Sequence, residues 1–170
     1  MYVDDPQSLP AAGGAYALLI HTHRAVTMTL AGRKPAELPE ARYLYAGSAN
    51  GPGGIRARVG RHLKGAKTIR WHVDRLTNAF GVAAVIALPG GRECALLEEI
   101  RNWDGVAVAA PGFGSSDCRA CPAHLVMLPE ALEVTDRLDR IIAASGASSA
   151  VVWHRPPVLC ILPTPGKQPR

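Results

Sequence analysis

The sequence contains no hydrophobic run long enough for a membrane-spanning helix, which needs roughly 20 apolar residues. Its first residues lack the basic segment, apolar segment and cleavage site of a secretory signal peptide. No internal repeat is visible along the chain. From these absences we expect a cytoplasmic protein without a membrane segment.

Cysteine is scarce: there are four in 170 residues, Cys94, Cys118, Cys121 and Cys160. In a reducing compartment they are not expected to form disulfides. Cys118, Cys121 and His124 form a C-x2-C-x2-H pattern, a spacing that can bind zinc. Only three ligands are close in sequence, so Cys94 or Cys160 would have to complete the site. A zinc-stabilised regulatory or interaction protein is therefore one alternative.

The composition otherwise indicates a globular domain with a basic surface. A chain of 170 residues, of which 48% are hydrophobic, has the length of one domain and can bury a core. The net charge is +5 and the pI is about 9.3. A basic excess of this size is compatible with a polyanionic partner such as nucleic acid, although many basic proteins bind none.

Short apolar or alternating segments predict strands. They comprise residues 15–20, 25–30, 43–47, 81–89, 106–110 and 124–128. The first two are expected to form a hairpin with its turn near residues 21–24. Residues 31–42 and 111–122 are predicted loops, because glycine and proline recur in them.

Segments with helical spacing lie between and after these strands. Helices are predicted from about residue 54 and over residues 68–79, 92–102 and 129–144. We therefore predict a mixed α/β domain of the α+β type over residues 13–145. An irregular lead-in, residues 1–12, precedes it, and a proline-rich tail, residues 146–170, follows. In the tail, the apolar segments 151–153 and 158–162 can pack on the domain.

The first helix carries two polar residues in a suggestive position. Ile55 and Val59 define its apolar stripe, and Arg58 and His62 lie one turn apart at the edge of that stripe. Side chains at such an edge meet a cleft, so we interpret this pair as part of a functional site. A structural role, such as a buried salt bridge, is the alternative.

The third helix carries one carboxylate in an unusual position. Glu93 falls within the apolar stripe formed by Leu96, Leu97 and Ile100. An isolated buried charge is costly and needs a partner. A divalent cation such as Mg²⁺, which prefers oxygen ligands, is one such partner. The alternative is a first-turn residue favoured by the helix dipole.

Two triplets resemble the paired signature of the GIY-YIG nuclease superfamily: Gly14-Ala15-Tyr16 and Tyr45-Ala46-Gly47. Alanine stands where the superfamily has isoleucine, at positions that pack rather than react. Arg58 and His62 match the arginine and the histidine four residues later that follow the second motif. Glu93 is the candidate for the glutamate on a later helix.

Longer pieces of the chain resemble the DUF123 branch of that superfamily. They are YAGSANGPGGIRARVGRHL, KTIRWHVDRL, the start of the third helix, and PGFGSSDC followed by HL. The resemblance covers roughly residues 13–128. It implies a small central, mainly antiparallel sheet flanked by helices.

The resemblance also implies a divalent-metal-dependent endonuclease. Glu93 would bind Mg²⁺ or Mn²⁺, and Arg58 would pair with phosphate oxygens. Tyr16 would act as the general base or position the water, and Tyr45 and His62 would orient these groups. Because an ordinary tyrosine has a pKa near 10, Tyr16 would need a cationic neighbour.

Four basic residues are predicted to contact nucleic acid: Arg56, Arg61, Lys64 and His72. Helix geometry places Arg61 and Lys64 on the solvent side, where a solvated face is the simpler interpretation and phosphate contact the alternative. His72, taken alone, is better explained as a structural histidine. DNA is the expected partner and RNA an alternative. A non-catalytic nucleic-acid-binding protein on a nuclease scaffold is a competing hypothesis, which the complete set of five site residues argues against.

Overall fold

The structure, a computed structural model, describes residues 1–30, 34–115, 118 and 120–156. Nine strands lie in these ranges: β1 (Tyr2–Val3), β2 (Gly14–His21), β3 (Val26–Met28), β4 (Ala36–Leu38), β5 (Arg42–Ala49), β6 (Ala84–Pro89), β7 (Ala107–Val108), β8 (Leu125–Leu128) and β9 (Val151–His154). The same ranges contain four α-helices: α1 (Gly54–Leu63), α2 (His72–Phe80), α3 (Glu93–Arg101) and α4 (Leu138–Ser145).

Seven of the strands form one sheet in the order β1-β9-β6-β2-β5-β8-β7. Every neighbouring pair is antiparallel except β1 and β9, which are parallel. The predicted α+β fold with a mainly antiparallel sheet is therefore confirmed. The central strand β2 is buried over Gly14–Ile20, because helices cover both faces of the sheet, and this explains its continuous apolar run.

The two faces of the sheet carry separate cores. On one face, Leu18 and Ile20 pack in a cluster with residues of α1 and α2, such as Ile55 and Leu76. On the other face, the alternate residues of β2 pack in a cluster with residues of α3 and α4, such as Ile100. Helices on both faces of the sheet can therefore contribute side chains to a site at its end.

The predicted hairpin between the first two strands is wrong. β3 instead pairs with β4 in a separate two-stranded sheet, with Val26 opposite Leu38. β4 itself lies in the segment predicted as a loop. β2 cannot accept β3, because β5 and β6 already occupy both of its edges.

The second helix begins later than predicted. α2 starts at His72 rather than at residue 68, because the Asp74 carboxylate accepts hydrogen bonds from the backbone N–H groups of Arg70 and Trp71 and so caps the helix there. Ile69, which lies within the predicted helix, is 47% exposed and precedes α2.

The fourth helix is also shorter than predicted. α4 begins at Leu138, after a 3-10 turn at Val134–Arg137. The carbonyls of Glu130 and Leu132 accept hydrogen bonds from the Arg42 guanidinium, so they do not accept from helix amides.

Both predicted terminal segments contribute to the sheet. β1 lies in the predicted lead-in and places Tyr2 opposite Val152 of β9. β9 contains the apolar segment 151–153, so its predicted packing on the domain is confirmed. The segment 158–162 lies outside the described residues, as do the Ser-Asp pair of the SSDC motif and residues 31–33.

The other predicted strands are confirmed, with shorter bounds at β6, β7 and β8. In the described part of the chain, none of the helices is both long and apolar enough to span a membrane.

Candidate active site

A pocket of about 770 Å³ opens at the end of the sheet where β5 leads into α1. Four of the five predicted catalytic residues line it, each from a different element: Tyr16 from β2, Tyr45 from β5, Arg58 from α1 and Glu93 from α3. The fifth, His62, is buried behind Tyr16. The fold therefore brings the whole predicted set together around one cavity.

The alternation of side chains along β2 and β5 explains why the two triplets have a tyrosine next to an alanine. Tyr16 and Tyr45 belong to the core face that packs against α1 and α2, whereas Ala15 and Ala46 point to the opposite face and are fully buried there. The expectation that the central alanines pack is confirmed.

Gly47 makes room for the Tyr16 ring. The two residues are directly opposite each other on paired strands. A Cβ atom at position 47 would lie 2.5 Å from the Tyr16 hydroxyl and ring carbon Cζ. The glycine of the second triplet is therefore needed for the placement of the tyrosine of the first.

A chain of polar contacts runs inward from Tyr16. The Tyr16 hydroxyl lies 3.0 Å from Nε2 of His62, and Nδ1 of His62 lies 3.3 Å from Oδ1 of Asp74. The second contact has the distance of an ion pair but not the alignment of a hydrogen bond. All three side chains are at most 2% exposed, so this chain of contacts is shielded from water.

Asp74 is held as a buried carboxylate. It accepts hydrogen bonds from Nη1 of Arg61 at 2.9 and 3.0 Å and from the N–H groups of Arg70 and Trp71 at 2.8 and 3.0 Å. Burial favours its neutral form, but these hydrogen bonds outweigh burial and lower the pKa of Asp74 to about 2. Asp74 is therefore ionised at neutral pH.

His62 is neutral at neutral pH. Burial lowers its pKa to about 4, although the neighbouring Asp74 carboxylate opposes this shift. With a carboxylate beside Nδ1, the favoured tautomer has the proton on Nδ1. Nε2 is then free to accept a hydrogen bond from the Tyr16 hydroxyl.

Both pocket tyrosines are neutral phenols. Burial raises the pKa of Tyr45 to about 12 and that of Tyr16 well above its usual value. Arg58 is a cationic neighbour and lowers both values, but less than burial raises them. Tyr16 can therefore accept a proton only if it passes its own proton to His62.

Arg58 is fixed in the pocket by an aromatic ring. Its guanidinium carbon lies 4.3 Å from the Trp71 ring centroid, and that of Arg61 lies 4.4 Å from the same centroid. Such cation–π contacts hold a guanidinium without occupying its N–H donors. Among the described residues, Arg58 has no hydrogen bond or ion pair, so its donors are free for an anion in the pocket.

The predicted solvent-side position of Arg61 is wrong. Besides Asp74 it binds the carbonyl of Thr68 through Nη2 at 2.7 Å, and its side chain is only 21% exposed. A helical wheel of α1 cannot show this, because both partners come from outside the helix.

The other predicted nucleic-acid contacts have different positions. Lys64 is exposed as expected, and Arg56 donates from Nε to the carbonyl of Leu9 at 2.7 Å; neither lines the main pocket. His72 does line it, but its Nδ1 accepts a hydrogen bond from the Gly114 N–H at 3.0 Å. This hydrogen bond gives His72 a structural role, which is the interpretation that the sequence analysis favours for this residue taken alone.

The sequence predicts Glu93 in the middle of a buried stripe. In the structure, Glu93 lies at the pocket instead. It is the first residue of α3 and half-buried, whereas Leu96, Leu97 and Ile100 are fully buried. Among the residues that the structure describes, no side chain or backbone N–H pairs with its carboxylate. That carboxylate is therefore free to hold a cation.

Three residues beside Glu93 are among the candidate zinc ligands of the sequence analysis. Cys94, Cys118 and His124 line the pocket, and together with Cys121 they place their ligand atoms within 4.8 Å of one another. Cys94, one of the two cysteines considered as the fourth ligand, is thus brought to the pattern by the fold. Cys160 lies outside the described residues.

Sequence reasoning overlooked two residues of the site, Asp74 and Trp71. One signal could have identified Asp74: it stands three residues after Trp71 at the start of α2, the spacing of a capping carboxylate. Its second role, beside His62, depends on how α1 and α2 pack.

Comparison with known proteins gives a family but no characterised relative. No curated protein and no solved structure matches the chain. A family model with the description "Domain of unknown function DUF123" matches residues 15–147, which include all five predicted catalytic residues. Since this match covers well over half of the chain, the protein belongs to the DUF123 family.

Proposed function

We propose that this protein is a cytoplasmic, divalent-metal-dependent endonuclease that hydrolyses phosphodiester bonds of DNA, and that its family belongs to the GIY-YIG nuclease superfamily. One observation carries the proposal. A single pocket combines an arginine and a carboxylate that have no partner among the described residues with a tyrosine that is hydrogen-bonded to a neutral histidine. Metal-dependent hydrolysis of a phosphodiester uses these three kinds of group: an anion binder, a cation ligand and a path for the proton.

Arg58 binds the scissile phosphate in this proposal. Its planar guanidinium can donate two parallel hydrogen bonds to phosphate oxygens. The Trp71 ring beneath it fixes the direction of those donors before substrate arrives. Charge that develops on the phosphate is then stabilised without reorganisation of the protein.

Glu93 holds the divalent cation. A single carboxylate beside an open, phosphate-binding pocket is a common arrangement for Mg²⁺, which shares its coordination between protein, substrate and water. When bound, Mg²⁺ or Mn²⁺ supplies a Lewis acid for the leaving oxygen. Glu93 is the first residue of α3 and lines the same pocket as Arg58, which comes from α1.

Tyr16 transfers the proton of the attacking water. Its phenolic oxygen accepts the water proton while its own proton moves to Nε2 of His62, 3.0 Å away. The imidazolium that forms is stabilised by the Asp74 carboxylate beside Nδ1. Tyr16 therefore never has to exist as a free phenolate, which its raised pKa would disfavour.

Tyr45 orients the site rather than taking part in proton transfer. Its ring centroid lies 6.5 Å from that of Tyr16 and 6.2 Å from that of Phe113, so it fills the space between β2 and the loop after β7. This packing keeps the Tyr16 ring against Gly47.

The experiment is a cleavage assay on plain and branched DNA duplexes and on RNA, with Mg²⁺ or Mn²⁺, using wild type, Glu93→Gln and Glu98→Gln. Glu98 lies on the same helix and is exposed, so Glu98→Gln is the matched control. We expect Glu93→Gln to lose metal-dependent DNA cleavage and Glu98→Gln to retain it. If wild type cleaves no DNA, or if Glu93→Gln cleaves as well as wild type, the proposal is wrong.

A further inference from the structure

Four metal-ligating side chains converge beside the pocket from separate parts of the chain. Cys94 lies in the first turn of α3, Cys118 and Cys121 in the loop between β7 and β8, and His124 directly before β8. One ligand atom from each lies within 4.8 Å of the other three. Convergence of this kind is not required by packing, because small apolar residues would fill the same space without polar atoms.

The spacing of the sulfur atoms fits a metal rather than a disulfide. Sγ of Cys94 and Sγ of Cys118 are 3.6 Å apart. Two thiolates bound to one tetrahedral zinc at about 2.3 Å are separated by about 3.8 Å, whereas bonded sulfurs lie about 2.05 Å apart. In addition, the Cys121 N–H donates to Sγ of Cys118 at 3.3 Å, the kind of second contact that orients a thiolate ligand.

His124 supplies the second, independent observation. It is only 5% exposed, and its Nε2 is buried without a hydrogen-bond partner in the described part of the chain. A buried, unpaired ring nitrogen is costly. The backbone of His124 is fixed on both sides. Its N–H donates to the carbonyl of Phe113 at 2.7 Å, and its carbonyl accepts from the N–H of Ala46 at 3.0 Å. A movement of the backbone therefore cannot carry the ring out to solvent.

We propose that Cys94, Cys118, Cys121 and His124 form a structural zinc site. Four protein ligands close a tetrahedral coordination sphere and leave no position for water or substrate, which distinguishes this site from a catalytic zinc. Three thiolates and an imidazole also select zinc over the hard cations that Glu93 would bind. The two metal sites are therefore chemically separate, although Glu93 and Cys94 are consecutive.

The position of the zinc explains what it stabilises. It joins the first turn of α3 to the loop that carries Phe113 and Gly114, and this loop contacts the Tyr45 ring. The loop has no regular secondary structure in its described residues, so it is held by isolated backbone hydrogen bonds, such as that from the Gly112 N–H to the carbonyl of Pro122 at 2.6 Å, and not by a helix or a strand ladder. Zinc thus fixes one wall of the pocket, together with the residue next to Glu93.

The test is metal analysis of the full chain purified under reducing conditions without added chelator. We expect one zinc per chain in wild type, loss of zinc in Cys94→Ser and His124→Asn, and unchanged zinc in Cys160→Ser. The Cys160 variant is the matched control, since the C-x2-C-x2-H pattern alone would have allowed either cysteine. This measurement does not depend on nuclease activity, so its failure and that of the endonuclease proposal can be told apart.

A second measurement covers the case in which the ligand variants fail to fold. Wild type freed of metal by acid under reducing conditions is titrated with Co²⁺, which takes the place of zinc and absorbs strongly when bound by thiolates. We expect saturation at one Co²⁺ per chain with thiolate absorption, and displacement by zinc. Wild type that binds neither metal, or a Cys160→Ser protein that loses zinc while Cys94→Ser retains it, would overturn the proposal.

Discussion

The two walls of the pocket are built in opposite ways. The wall from α1 and α2 is held largely by its own contacts: Asp74 has three donors, His62 contacts both Tyr16 and Asp74, and Trp71 lies against Arg58 and Arg61. Arg58 is the exception in this wall, because its N–H donors have no partner among the described residues. The wall from α3 and the loop before β8 presents two groups without a partner in the part of the chain that the structure describes, the Glu93 carboxylate and Nε2 of His124.

This difference separates what the protein organises by itself from what a ligand must complete. A preorganised wall suits groups that have to be fixed before substrate binds, such as a proton path. Unpartnered ligand atoms suit positions that a cation will occupy. Variants of Asp74 and His62 should therefore change folding stability together with activity, whereas variants of Glu93 should change activity alone.

The largest expected effect is that of Asp74→Asn. The substitution leaves the half-buried Arg61 guanidinium without its carboxylate. We expect a cost of about 3 kcal/mol, the low end of the range for a broken buried pair, because Arg61 is 21% exposed. Denaturant unfolding measures the loss, with Asp139→Asn on the exposed surface of α4 as the control. Unchanged stability in Asp74→Asn would mean that the α1–α2 wall is not held by this carboxylate.

The second prediction concerns acid. Because the pKa of His62 is lowered from 6.5 to about 4 in the folded protein, the unfolded chain binds the proton more readily between these pH values. The free energy of unfolding should then fall as pH is lowered from 6.5 to 4, by about 3 kcal/mol from this group, and change little further from it below pH 4.

A variant isolates that contribution. His62→Gln should flatten the dependence of unfolding free energy on pH in this window, and His154→Gln, the same substitution at an exposed histidine, is the control. His21 and His72 also have lowered pKa values through burial, so a smaller slope of the same sign should persist. A slope that is equally steep in His62→Gln would contradict the assignment.

The third prediction concerns the register between the two triplets. In Gly47→Ala the new methyl group meets the Tyr16 ring at 2.5 Å, so the ring or the strand must shift, at a cost of about 1–3 kcal/mol. Gly60→Ala is a control of opposite sign: its Cβ meets nothing within 4 Å, and alanine within a helix is favoured by about 1 kcal/mol over glycine. Equal stabilities of the two variants would disprove the steric role of Gly47.

The sequence predicted best what depends on local periodicity. β2, β5 and α1 were found because apolar spacing along one segment reflects its own burial, and the five residues that met at the pocket lie on these elements and at the start of α3. The hairpin prediction failed because alternation does not identify a strand's partner. The position of Arg61 was wrong because a helical wheel shows only the helix itself, whereas Asp74 and Thr68 come from other segments. The position of Cys94 beside the C-x2-C-x2-H pattern likewise depends on a tertiary contact.

The smallest expected change in stability, that of Glu93→Gln, is the most informative about the wall from α3 and the loop before β8. Glu93→Gln should alter the free energy of unfolding by no more than about 0.5 kcal/mol, since among described residues the carboxylate has no partner to lose and the helix dipole contributes little at an accessible end. Glu99, two turns further along α3, accepts from the Trp103 indole at 2.9 Å and pairs with Arg140 at 2.7 Å. Glu99→Gln should therefore cost about 1 kcal/mol while leaving cleavage intact. Thermal unfolding and DNA cleavage measured on both variants test this contrast, in which Glu93→Gln loses cleavage but not stability and Glu99→Gln loses stability but not cleavage. A markedly destabilised Glu93→Gln protein would mean that the wall from α3 and the loop before β8 is also held by protein contacts rather than completed by a cation.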